Sequence, residues 1–184
     1  SLTTANSINT ATTGNGNGQG LWGIRASSAG TSVISNNTVA NLNNNYTGIE
    51  TSQNTVGIFA NVGTNTISGN TVRNVTTAST NSGTSQIASL IGISLAASGS
   101  GGQTVSQNTV HSLTNTNTST GVQVLGIFYS GPNTGTNLVA RNFVHSLAPA
   151  AGNTNTSLKG ISTNAGVTTY QNNMVRLGIK ADGT

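Results

Sequence analysis

Residues 103–113 read Gln-Thr-Val-Ser-Gln-Asn-Thr-Val-His-Ser-Leu, and versions of this stretch occur four more times in the chain. Aligned on the asparagine, the copies are ISNNTVANL (34–42), ISGNTVRNV (67–75), VSQNTVHSL (105–113), VARNFVHSL (139–147) and YQNNMVRLG (170–178). The common form is apolar-x-x-Asn-x-Val-x-x-apolar, and the last copy departs from it by ending Val175-Arg176-Leu177, one residue early. Each copy is preceded by a Gly-Ile pair, with isoleucines at 24, 58, 93, 127 and 161, that is 34, 35, 34 and 34 residues apart. A fixed period with a fixed internal pattern predicts structural units stacked on one another.

Around the Gly-Ile pair apolar residues alternate with others, the period of a half-buried strand. Trp22, Ile24 and Ala26 form one such set, followed by Val56, Ile58 and Ala60, then Ile91, Ile93 and Leu95, then Leu125, Ile127 and Tyr129. This phase predicts that Trp22 faces the core and that Gly23, Gly57, Gly92, Gly126 and Gly160 face outward. The last copy keeps only Ile161, with Lys159 and Thr163 beside it, and is expected at a frayed or terminal coil. Between signatures lie linkers rich in Thr, Asn, Ser, Gly and Ala at residues 43–55, 76–86, 114–121 and 148–157, which vary as surface loops do.

Each unit therefore holds at least two short strands joined by a turn. Two strands cannot bury an apolar face alone, so the units must close a core by stacking. The expected fold is all-β: a right-handed parallel β-helix of about five coils of roughly 34 residues with long polar loops, a single segment over residues 1–184. Ser1-Leu2 matches the Ser-Leu that ends two copies, so the chain is expected to be part of a longer repeat array or filament.

The units resemble the repeats of right-handed parallel β-helix proteins, the pectate-lyase-like superfamily, and especially its Asn/Thr/Gly-rich bacterial cell-surface members. The resemblance covers nearly the whole chain, with a period longer than the family's. It implies a ladder of side-chain amides at Asn37, Asn70, Asn108, Asn142 and Asn173. Asparagine suits that role because it tolerates the left-handed conformation of a tight bend and its amide both donates and accepts. Leucine-rich repeats share part of the pattern, but they need a shorter period and helical return limbs, and these linkers are poor helix formers.

Composition bounds the chemistry. Only 4% of residues are charged, and six cations against two acids give a net charge of +4. The six cations are scattered along the chain rather than clustered, which does not make a nucleic-acid surface. No cysteine is present, and no stretch of about 20 apolar residues is available to cross a membrane. Glycoside hydrolysis requires two carboxyl groups flanking the bond. Glu50 and Asp182, the only acids, are too far apart in sequence to share a coil, so the chain is expected not to be an enzyme and to need no cofactor.

Two sets of side chains are candidates for contact with a glycan or protein partner. Arg73, His111, His145 and Arg176 occupy one repeat position, immediately after the column valine, and are expected to form an outward stripe with Ala40. Two histidines without a third ligand are thin support for a metal site. Phe59 and Phe128 follow the isoleucine at an outward position, either as platforms for sugars or as rings buried under folded-back loops. Threonine pairs fall at different places on different coils, which argues against an ice-binding face. The resulting expectation is a structural or adhesive module, a stalk, filament or adhesin shaft, at an extracellular or bacterial cell-surface location. Its partners would be other copies or adjacent repeats stacked end to end. The alternative is a carbohydrate-binding module on the same scaffold.

Overall fold

The structure is a computed structural model that describes residues 6–9, 20–47, 54–118, 121–150 and 155–178. Glu50 and Asp182, with Ser1 and Leu2, lie outside the described residues. Strand β1 (Asn6–Asn9) precedes a first coil of β2 (Leu21–Ala26), β3 (Thr31–Ser35) and β4 (Thr38–Asn44). The second coil is β5 (Thr55–Ala60), β6 (Thr64–Ser68) and β7 (Thr71–Thr77); the third is β8 (Leu90–Leu95), β9 (Thr104–Ser106) and β10 (Thr109–Asn115). The fourth is β11 (Gln123–Ser130), β12 (Leu138–Ala140) and β13 (Phe143–Ala148); the fifth is β14 (Ser157–Ala165), β15 (Thr169–Gln171) and β16 (Met174–Arg176).

Corresponding strands pair in parallel, forming three sheets in the orders β2-β5-β8-β11-β14, β3-β6-β9-β12-β15 and β1-β4-β7-β10-β13-β16. The chain is a parallel β-helix. Five strands on a face are separated by four intervals, so the axis completes about four turns where the repeat count predicted about five. Among the described residues the sole helical element is a 3₁₀ turn, Ser85–Ile87, and no helix is long and apolar enough to cross a membrane.

Register follows the repeat. Ile24, Ile58, Ile93, Ile127 and Ile161 pair in one line, and Val39, Val72, Val110, Val144 and Val175 in another. The sequence motif itself is not one strand but two. Ile34, Ile67, Val105, Val139 and Tyr170 belong to a separate sheet, and the backbone bends between them and the valines. The bend is made by the residue before the ladder asparagine: Asn36, Gly69, Gln107, Arg141 and Asn172 all have φ between 54° and 65°. The ladder asparagines are not left-handed, so their part in the corner is hydrogen bonding alone.

The alternation predicted at Gly-Ile fails, and for a geometric reason. Gly23 and Ile24, with their counterparts, both face inward, two successive inward residues within one continuous strand. A Cβ on Gly23, Gly57, Gly92 or Gly126 would collide with the inward valine of its own coil and with the carbonyl oxygen of the glycine on the next. Only glycine permits that approach. Trp22, Val56, Ile91 and Leu125 are thereby turned outward, into a cluster separate from the main core. Neither the inward Trp22 nor the outward glycine strip exists.

In-register stacking also accounts for the composition. Each side chain lies about 4.8 Å from its own repeat copy, where like charges repel and Thr, Asn or apolar residues do not. Thr38, Thr71 and Thr109 form one such neutral line.

Candidate functional site

At the corner between the second and third sheets, the five asparagines make a continuous ladder. The side-chain Nδ2 of Asn37, Asn70, Asn108 and Asn142 donates to Oδ1 of the next asparagine at 3.1, 3.0, 3.0 and 2.9 Å. The backbone N–H of the same residue donates to that same Oδ1 at 2.9–3.1 Å. The second Nδ2 proton of Asn70, Asn108, Asn142 and Asn173 donates at 2.9 Å to a carbonyl of the preceding coil. Asn70, Asn108 and Asn142 are buried, and their amides are satisfied. Satisfied burial is what makes a polar network stabilising rather than costly.

A second ladder has no equally regular signature in the sequence. Asn65, near the start of β6, and Gln103 and Asn137, just before β9 and β12, are buried. The backbone N–H of Asn65 donates to Gln103 Oε1 at 2.9 Å, and that of Gln103 to Asn137 Oδ1 at 3.1 Å. Gln103 reaches with its extra methylene what asparagine reaches on the neighbouring coils. The change of residue type, together with spacings of 38 and 34 residues, obscures the repeat.

Arg73, His111, His145 and Arg176 are brought into one line on the outer face of the third sheet, with Ala40 ahead of Arg73. The two imidazoles stack, with centroids 4.7 Å apart and planes 4° from parallel. Phe143 lies beside His145 at 4.5 Å. Nδ1 of His111 is 3.0 Å from Ser112 Oγ, and Nδ1 of His145 is 2.9 Å from Ser146 Oγ. Partial burial lowers the His111 pKa, with His145 and Arg73 adding repulsion; burial and then Arg176 lower that of His145. Both rings are therefore neutral at pH 7.

This geometry limits what the stripe can do. Parallel rings direct their lone pairs in parallel, so the two histidines do not converge on one metal ion, and no group of three metal-ligating residues exists among the described residues. The Ser–His contacts join sequence neighbours, no acid orients either ring among the described residues, and Ser146 is closed to solvent. A nucleophile needs an oriented base and access to substrate. The stripe places two guanidinium groups and two imidazoles along one line of the sheet.

Phe59 and Phe128 do face outward but are 9% and 1% exposed. They pack with Val56, Ile91 and Leu125 and are closed over by Ala88 and Ala96 on either side of β8. Neither ring is presented to a sugar. The aromatic with partial exposure on this face is Trp22, 6.4 Å from Phe59, with the Arg25 guanidinium 4.9 Å above its ring. Assigning Trp22 to the core concealed this group.

The last feature is the end of the solenoid. Strand β14 is nine residues long and paired along its length with β11, so the fifth coil is terminal among the described coils but not frayed. Its core positions Tyr170 and Val175 are 41% and 43% exposed, and Met174 beside them 62%. No protein-family model, curated protein or solved structure matches the chain.

Proposed function

We propose that the chain is a non-enzymatic structural or adhesive module: a stalk, filament or adhesin shaft of the Asn/Thr/Gly-rich type in the pectate-lyase-like superfamily. It works outside the cell, at a bacterial surface, and extends along its own axis by stacking on another copy or on adjacent repeats. The observation that carries this reading is the fifth coil, whose three strands have no outer neighbour among the described residues and whose core columns stand open. Unpaired strand edges over exposed apolar residues are templates for another strand. Two acids in 184 residues leave no pair of carboxylates to run hydrolysis on one coil.

The test is assembly. Sedimentation of the purified chain at rising concentration, with negative-stain microscopy, is expected to show rods one solenoid wide whose length grows with concentration. Monomers of one size at every concentration would refute it.

Carbohydrate binding is the second reading, and it rests on the partly exposed Arg73 to Arg176 stripe rather than on the buried phenylalanines. Glycan-array signal that disappears on Arg73→Ala with Arg176→Ala would support it; an empty array would remove it.

A further inference from the structure

Scattered in sequence, half of the basic side chains are gathered by register. Of the chain's six Lys and Arg and two His, Arg73, His111, His145 and Arg176 fall in one line on the third sheet, one to a coil on successive coils. The residues before the first three, Val72, Val110 and Val144, belong to the core, so strand alternation sends the line outward. Adjacent members stand about 4.8 Å apart, and the line runs along the axis for about 14 Å. Among the described residues no acid lies beside it.

The flanks of the line are uncharged and carry hydroxyls. Thr71 pairs with Thr109 along one side, and Thr76 with Thr114 along the other. Phe143 continues the first side, its ring centroid 4.5 Å from that of His145. Threonine hydroxyls both donate and accept, as the hydroxyls of a sugar require, and an apolar ring suits the C–H face of a pyranose. Nucleic acid would call for more permanent cations and for a series of rings on which bases stack.

The make-up of the line narrows the anion. All four groups are planar and none is an ammonium; guanidinium is weakly hydrated and grips oxyanions in a fork. A sulfate half-ester sheds its water more readily than a carboxylate and keeps its charge wherever an imidazole protonates. Arg73, His111 and His145 are partly buried, so the cheaper desolvation favours sulfate.

His111 and His145 are also the only side chains of this protein whose ordinary pKa lies between pH 5 and pH 7.5. Basic groups flank both: Arg73 and His145 stand beside His111, and His111 and Arg176 beside His145. Burial and then this repulsion hold both rings uncharged at pH 7. The line then carries two guanidinium groups about 14 Å apart, farther than the screening length of about 8 Å at physiological salt. An anionic chain laid over the line offsets the repulsion, so protonation and binding reinforce each other.

We propose that this line binds a linear sulfated glycan laid along the solenoid axis, firmly in mildly acidic surroundings and weakly at neutral pH. The proposal rests on the carbohydrate-binding reading of the stripe and names its ligand. A 1,4-linked glycan has a rise per sugar comparable with the interval between coils, so successive sulfates meet Arg73, His111, His145 and Arg176 in turn.

Calorimetric titration with a heparin-derived octasaccharide provides the test. Binding is expected to tighten about tenfold from pH 7.5 to pH 5.0, with proton uptake near pH 6. The dependence of log K on log salt is expected to steepen from about two ions released to about four. His111→Asn with His145→Asn is expected to keep the affinity at pH 7.5 and to lose both the tightening and the proton uptake. His145→Arg, with its charge fixed, is expected to bind more tightly than the parent at pH 7.5. Melting profiles at both pH values establish that each variant is folded. The same octasaccharide after desulfation, and a single-stranded DNA of equal charge, are expected to bind about tenfold more weakly at pH 5.0. Affinity that stays level with pH, tightening that survives in the double histidine variant, or equally firm binding of the DNA would overturn the proposal. Equal binding of the desulfated chain would overturn the sulfate assignment and leave the carbohydrate reading intact; an array on which no glycan binds would remove that reading as well.

Discussion

The third and fifth coils carry the same motif and have different fates. In the third, Val105 and Val110 are fully buried and Asn108 is 1% exposed; in the fifth, Tyr170 and Val175 are more than 40% exposed. Sequence identity of the repeat therefore does not fix burial. Neighbours above and below do, as expected of a one-dimensional array in which each unit contacts only the adjacent ones. The same substitution should consequently cost more in the middle than at the end.

The largest contrast is expected at the inward glycines. A Cβ at Gly92 meets the Val110 side chain and, at 2.6 Å, the carbonyl oxygen of Gly126, while the three atoms nearest a Cβ at Gly160 all belong to the side chain of the half-exposed Val175. Overpacking against fixed backbone puts Gly92→Ala at about 3 kcal/mol and Gly160→Ala at about 1 kcal/mol, measured by denaturant unfolding. Equal losses would mean that the end coil is packed as tightly as the middle.

The ladder gives the next contrast. Asn108→Ala leaves the N–H and amide of Asn70 and the carbonyl of Ile67 without their partners. Orphaned buried groups make this about 2–3 kcal/mol, against about 1 kcal/mol for Asn173→Ala, where solvent reaches the vacated site. Reversal of that order would contradict the ladder's account of the corner.

How much of this was legible follows from what periodicity can and cannot carry. The isoleucine and valine columns, the asparagine ladder and the His–Arg line were readable because each depends only on position within the period. The facing of Trp22 and of the glycines was not, since two successive inward residues within one strand break the alternation on which facing is judged. The left-handed residue was misassigned by one place because Asn36, Gly69, Gln107, Arg141 and Asn172 include four residue types, whereas the asparagine after them never varies. Gln103 was missed because it replaces asparagine within its ladder. Burial of Phe128 depends on the chain around β8, whose covering alanines carry no pattern.

The smallest effect concerns the stacked histidines. Both have pKa values below the ordinary 6.5 in the folded chain. The unfolded chain therefore binds more protons just below pH 6.5, and stability falls as the pH drops through that value. The loss is complete below the folded pKa values. His111→Asn with His145→Asn should flatten the dependence between pH 7.5 and 5 in thermal unfolding at fixed ionic strength. Persistence of the full slope in the double variant would assign it to other groups.

The account depends most on one spatial statement, that residues a repeat apart lie on top of one another. Methyl-labelled isoleucines in solution provide the direct measurement through nuclear Overhauser contacts. Cross-peaks are predicted between Ile58 and Ile93 and between Ile93 and Ile127, with none joining Ile58 to Ile127 across the intervening coil. Absence of the successive contacts, or a direct Ile58–Ile127 contact, would contradict the stacked-coil architecture.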